Sequence, residues 1–277
     1  MKIDTHQHFW KYNPREFGWI GPGMEALQRN FLPSDLLPLI KEARICGTVA
    51  VQARQCVEET KWLLELANEY PFILAVVGWV DLRSPQVEAQ LERFAAHSKM
   101  RGVRHVIHDE PDDKFMLRKD FMRGIKALAR YNLSYELLLR PKHLPAACQL
   151  AREFPEQQFI LDHLGKPLIR DGVLTPWDRD MGRLAECDNV LCKISGMVTE
   201  AQWETWTPDD FTPYMDLVFE RFGSDRVMIG SDWPVCTVAA GYSEVIGIAT
   251  DYVNKLSPTE RTDVFIENAK VIYQIHE

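Results

Sequence analysis

The sequence predicts one α/β domain, residues 1–277, folded as a (β/α)8 TIM barrel. Three observations carry this. Eight short, nearly uninterrupted apolar runs recur along the chain, the character of strands covered on both faces. Amphipathic stretches of helical period separate them, and strand–helix alternation implies a parallel sheet. Eight units in roughly 250 residues leave about 31 residues each, which suits such a barrel. An open doubly wound sheet is the competing architecture. Against it, no G-x-G-x-x-G follows the first run and no G-x-x-x-x-G-K-[ST] occurs anywhere.

In chain order, the predicted strands are residues 2–6, 48–52, 73–80, 102–106, 134–139, 159–163, 190–194 and 227–232. Residues 58–70 place Trp62, Leu63, Leu66 and Ala67 on one helical face, and residues 85–97 do the same with Val87, Leu91 and Phe94. Near the C-terminus, Ser257 suits an N-cap, Pro258 the first helical position and Glu260 the third, which together make a capping box. Residues 10–33, with Gly18, Gly21, Pro22 and Gly23, form the longest irregular stretch and are expected to cover one end of the barrel. No internal repeat or composition shift marks a second domain.

Composition narrows the function classes. The chain is 46% hydrophobic and 26% charged, which excludes a disordered or coiled-coil protein. Its net charge of -8 argues against a nucleic-acid surface. The longest apolar run, residues 72–80, is too short for a membrane span, and no signal peptide is visible. Six scattered cysteines without a C-x-x-C pair read as reduced thiols, so a cytoplasmic protein is expected. The Trp-rich loops suit a pocket lid or a homo-oligomer interface equally well.

Chemistry in such a barrel gathers where strands end. The strand ends here carry His6 and His8, then Gln52 and Arg54, then Arg104, His105 and His108, then Arg140, Asp162 with His163, Lys193 with Ser195, and Asp232 with Trp233. Period two puts His6 and His8 on one side of the first strand, next to Asp232 on the last strand of a closed barrel. Asp162 is expected to face away, as a structural acceptor or helix-start group. Lys193 must pair with a carboxylate or meet the substrate, because an unpaired buried Lys is rare. Arg54, Arg104 and Arg140 suit rim ion pairs as well as substrate contacts, and Trp10 and Trp233 suit core filler as well as a pocket wall.

Three segments carry a resemblance: Asp4 to Trp10 (DTHQHFW), Asp162 to Pro167 (DHLGKP) and Gly230 to Pro234 (GSDWP). They are similar to the amidohydrolase superfamily. More narrowly they resemble its sugar-lactonase branch, which holds L-fuconolactonases and L-rhamnonolactonases. The segments 18–20, 30–33, 51–55, 102–105 and 267–269 fit the same branch, so the likeness spans nearly the whole chain. It implies hydrolysis of a sugar lactone. Many superfamily members hold two metals through a strand-four Lys and His on strands five and six. Here strand four offers Arg104 and His105, strand five offers Glu136 and Arg140, and only His163 fits, so a two-metal site is not expected. One divalent ion, Zn2+, could sit on His6, His8 and Asp232, with Glu136 or water as fourth ligand. A metal-free site stays open beside it, and no organic cofactor is expected.

Opening a lactone needs an activated water and a stabilised oxyanion. Asp232 is the expected base. Its ordinary pKa, about 3.9, is low for that task, so neighbours must raise it or a metal must acidify the water. His6 and His8 would polarise the carbonyl and His163 would orient the water or stabilise the oxyanion. Gln52, Arg54, Arg104, His105 and Lys193 would donate to sugar hydroxyls, with Trp10 and Trp233 against the ring. Two other classes compete: a zinc-dependent decarboxylase of an aromatic acid, which predicts release of CO2, and a non-catalytic sugar-acid binding protein, which predicts binding without turnover.

Overall fold

The computed structural model describes residues 1–276, so Glu277, the last residue of the expected domain, lies outside the described residues. Eight parallel strands follow one another around a barrel in sequence order. They are β1 (Ile3–Gln7), β2 (Gly47–Val51), β3 (Ile73–Gly78), β4 (Met100–Val106), β5 (Ser134–Leu138), β6 (Phe159–Leu161), β7 (Val190–Ile194) and β8 (Val227–Ile229). Each is followed by a helix: α1 (Pro33–Glu42), α2 (Val57–Glu69), α3 (Val87–Ala95), α4 (Lys119–Leu128), α5 (Leu144–Glu153), α6 (Trp177–Ala185), α7 (Pro208–Phe222) and α8 (Tyr242–Val253). The predicted (β/α)8 barrel is therefore the observed fold.

Two apolar zones hold it together. The larger lies between strands and helices. The smaller fills the barrel's lower interior with Ile3, Val49, Val51, Ala75, Val77, Ile160, Leu191 and Met228. Two short C-terminal helices, α9 (Pro258–Thr262) and α10 (Asn268–Ile272), follow α8, and Ala269, Ile272 and Tyr273 plug that interior from below. The capping box opens α9 as its sequence demands, with Ser257 Oγ accepting from the Glu260 N–H. Among the described residues no helix is long and apolar enough to cross a membrane, and all six cysteines are free of disulfides.

Strand boundaries differ from expectation at the two places that carry function. The runs expected to reach His163 and Asp232 end as strands at Leu161 and Ile229. The cause is local: His163 (φ 55°), Leu164 (φ 53°) and Asp232 (φ 56°) adopt the left-handed conformation, which breaks the extended chain. Residues 10–33 cover the barrel's carboxyl end as expected. An antiparallel bridge between Trp10 and Phe31 ties the loop's two ends, and Phe31 packs edge-on against Trp233.

A close backbone approach lies where β8 meets β1. A Cβ on Gly230 would sit 2.7 Å from His6 Cβ, 3.1 Å from His6 N and 3.2 Å from Ser195 Cβ. Gly230→Ala should therefore cost about 1–3 kcal/mol of stability, read from the midpoint of urea unfolding. An unchanged midpoint would show that the two strands do not meet as closely as described.

Candidate active site

The last strand closes onto the first through backbone hydrogen bonds. The Asp232 N–H donates to His6 O (2.8 Å) and the His8 N–H donates to Trp233 O (2.7 Å). This closure forces the predicted meeting of His6, His8 and Asp232. Asp232 Oδ1 becomes a hub facing three imidazole Nε2 atoms: His8 at 3.3 Å, His163 at 3.8 Å and His6 at 3.9 Å. All four residues are buried.

Neighbours fix each ring. His8 Nδ1 lies 2.8 Å from Val51 O, so Nδ1 carries a proton, and Nε2 faces Asp232 Oδ1 at 3.3 Å. His163 Nδ1 bonds Ser195 Oγ at 2.9 Å. Gly196 leaves room for that ring, since a Cβ there would stand 2.6 Å from His163 Nδ1. Behind Asp232, the buried Asp4 carboxylate accepts from Ser231 N (2.9 Å), Ser231 Oγ (2.6 Å) and Tyr242 OH (3.0 Å), which pins the turn that presents Asp232. His163 and Asp232 both hold the strained left-handed backbone, a cost of roughly 1–3 kcal/mol each that surrounding contacts must offset.

Beneath the hub lies a buried charge network. Arg104 Nη1 donates to Asp162 Oδ2 (3.0 Å) and lies 3.1 Å from His6 Nε2, while Nη2 donates to Gln52 O. Lys193 Nζ reaches Glu136 Oε1 (2.6 Å), Asp162 Oδ1 (3.2 Å) and His6 Nδ1 (3.2 Å). Tyr273, from the C-terminal plug, donates to Glu136 Oε1 at 2.6 Å. This corrects two expectations and decides between the two readings of Lys193. Asp162 faces the cluster rather than away from it. Glu136 is held by Lys193 and Tyr273 and does not join His6, His8 and Asp232. Lys193 is fully buried and pairs with carboxylates, the first of the two roles open to it.

The cluster's charges follow from burial and neighbours. Burial first, then the Lys193 and Arg104 cations, push His6 well below the usual histidine range against the pull of Asp162. Burial likewise keeps His163 neutral against the attraction of Asp232. For Asp232, burial raises the pKa, but His163, His8 and Lys166 outweigh it and hold the carboxyl below its ordinary value. Neighbours therefore lower the Asp232 pKa instead of raising it.

The remaining predicted residues divide. Gln52 is fully buried beside Arg104, its Nε2 donating to Arg104 O (3.3 Å) and its Oε1 without a protein partner. His105 points the opposite way from Arg104, bonded to Glu110 (2.7 Å) and stacked on Phe115, because successive strand residues alternate faces. Arg54 pairs with Glu16 of the covering loop (2.6 Å) and lies 3.7 Å from Glu59. Trp10 and Trp233 are buried as packing: Trp10 donates to Arg29 O, and Trp233 sits between Phe9 and Phe31. Sequence reasoning misses Asp4, Ser231 and Tyr242 as site residues, although Asp4 stands two positions before His6. No local pattern pointed to Tyr273.

The donor set suits a single divalent ion. His6, His8 and Asp232 each offer one ligand atom, all within 4.8 Å of one another. Two imidazoles and a carboxylate with a further position open are the ligands of a catalytic zinc site.

Comparison with known proteins gives the context. A family model described as Amidohydrolase matches residues 3–275. An L-fucono-1,5-lactonase of Burkholderia multivorans is 37% identical over 100% of this chain and 97% of its own length. A solved amidohydrolase from Burkholderia multivorans with bound zinc is 38% identical, covers both chains fully and superposes with a TM-score of 0.95. A 2,6-dihydroxybenzoate decarboxylase from Rhizobium, at 13% identity, 99% and 98% coverage and a TM-score of 0.71, shares the fold alone.

Glu59, beside the mouth, supplies a pH test. Its Oε2 accepts from the Ala53 and Arg54 N–H groups, and burial raises its pKa from 4.5 to about 7. The folded state thus holds this proton more tightly than the unfolded chain. Stability from this group falls as pH rises from about 4.5 to about 7, by roughly 3 kcal/mol in all. Glu59→Gln keeps an acceptor oxygen and removes the titration, so its stability relative to wild type should improve from pH 5 to pH 8 in urea unfolding. A difference constant across that range would contradict the assignment.

Proposed function

The chain belongs to the amidohydrolase family, and from that premise we propose that it opens a sugar-derived lactone, such as an L-fuconolactone, to the free sugar acid. The observation that carries this reading is the Asp232 hub, a buried carboxylate ringed by three imidazoles at the mouth of the barrel. The curated L-fucono-1,5-lactonase matched over its full length supports the substrate class.

In this reading Asp232 takes a proton from water as the oxygen attacks the lactone carbonyl. Negative charge then grows on the carbonyl oxygen. His163, kept neutral by burial, donates from Nε2 when Ser195 Oγ–H donates to its Nδ1, and that N–H stabilises the oxyanion. When the ring C–O bond breaks, the proton held by Asp232 passes to the departing sugar hydroxyl, so lactone plus water gives the hydroxy acid. A divalent ion on His6, His8 and Asp232 would supply Lewis acidity and lower the pKa of bound water. Because Asp232 is a weakened base, that help matters here. Gln52 Oε1, buried without a protein partner, is our first choice for binding a sugar hydroxyl, since a site with an unpaired buried acceptor rejects analogues that lack the donor. Arg54 would shape the covering loop through Glu16, and the reduced cysteines fit a cytoplasmic enzyme.

Acid release from L-fucono-, L-rhamnono-, L-galactono- and D-arabinono-lactones, followed with a pH indicator, tests the reading. We expect hydrolysis well above the spontaneous rate for at least one of them. Asp232→Asn should lower kcat by at least about 100-fold, the usual scale of a lost acid–base group, with unchanged circular dichroism. Prior chelation should slow the wild type and added Zn2+ should restore it. No turnover of any lactone, or CO2 release from an aromatic acid instead, would overturn the proposal.

A further inference from the structure

We propose that Arg104 is an internal cation that competes with the metal for His6, so that metal entry requires its guanidinium to withdraw. The inference rests on the site reading above for the ligand set, but not on the lactone substrate. Arg104 Nη1 stands 3.1 Å from His6 Nε2. A guanidinium has only donors, so this contact uses the ring's lone pair. That lone pair is also what His6 would offer to an ion shared with His8 and Asp232. One lone pair cannot serve both.

The guanidinium is built in, not passing through. Arg104 is 3% exposed. Nη1 is also tied to Asp162 Oδ2 at 3.0 Å, Nη2 donates to Gln52 O, and Gln52 Nε2 returns a bond to Arg104 O. None of these three bonds involves His6, so loss of the His6 contact does not by itself remove the counter-charge of Arg104. Its Nε lacks a partner, which leaves the side chain one unspent donor for a new position. The other ring nitrogen, Nδ1, lies 3.3 Å from Asp162 Oδ1 and 3.2 Å from Lys193 Nζ. A divalent ion arriving at Nε2 therefore meets the Arg104 guanidinium that already occupies that lone pair, in a buried site where Coulomb repulsion between the two is poorly screened. With the metal absent, the same guanidinium supplies positive charge at the hub.

Zinc affinity reads this directly, without substrate. Zn2+ binding to the full-length protein is measured by competition with a chromophoric chelator. Arg104→Met, which removes both the donor and the charge, should bind Zn2+ at least about ten-fold more tightly than wild type. Binding by the variant alone would support the proposal equally. Unchanged or weaker binding by a folded variant, or no binding by either protein, would overturn it. Should the variant fail to fold, a zinc-loaded crystal structure of the wild type decides. The proposal expects Arg104 Nη1 to lie beyond hydrogen-bond distance of His6 Nε2, and it fails if zinc sits on His6 with that contact intact. A null result in the lactone panel leaves these outcomes unaffected.

Discussion

The backbone closure between β1 and the turn after β8 is the constraint on which the site depends. The two bonds that join His6 and His8 to Asp232 and Trp233 complete the barrel and set the imidazoles against the carboxylate. Residues far apart in sequence become neighbours because a closed parallel barrel makes its first and last strands adjacent. Gly230 is the residue that permits this approach, since any side chain there would meet His6 and Ser195. Fold closure and site assembly are one event.

Around that seam the protein accepts costs that a purely structural barrel would avoid. His163 and Asp232 stand in left-handed backbone, and two carboxylates and two cations lie beneath them out of reach of water. Buried charges are tolerable only when paired and bonded. Asp162 illustrates the balance: burial would raise its pKa, but Lys193, His6 and Arg104 hold it far below the ordinary range. Tyr273 connects the C-terminal plug to the same network through Glu136, so the bottom of the barrel is wired to the mouth by a short chain of polar contacts. The left-handed turns re-aim the side chains that follow β6 and β8, and Asp4 with Tyr242 and Ser231 hold the second turn in place.

Much of this was legible in the sequence, for identifiable reasons. Apolar runs at regular spacing announced the barrel, and H-x-H on the first strand with Asp232 on the last announced the hub, because periodicity and strand adjacency determine both. What was not legible depended on side-chain direction. Strand alternation sent Arg104 inward and His105 outward, yet a list of strand-end residues treats them alike. Strand alternation would send Asp162 outward beside an inward His163, but the chain leaves the extended conformation there and the parity rule stops applying. Lys193 left two readings open, and only the position of Glu136 on the neighbouring face decided between them. Tyr273 was invisible because its partner lies 137 positions earlier. The Trp residues of the covering loop turned out to pack against one another, which composition cannot distinguish from a sugar platform.

A crystal structure with a sugar acid soaked into the full-length protein would examine the central claim most directly. The account predicts the acid's carboxylate at the Asp232–His163 hub, with a sugar hydroxyl on Gln52 Oε1. A sugar acid seated away from the barrel mouth, with the hub untouched, would contradict it.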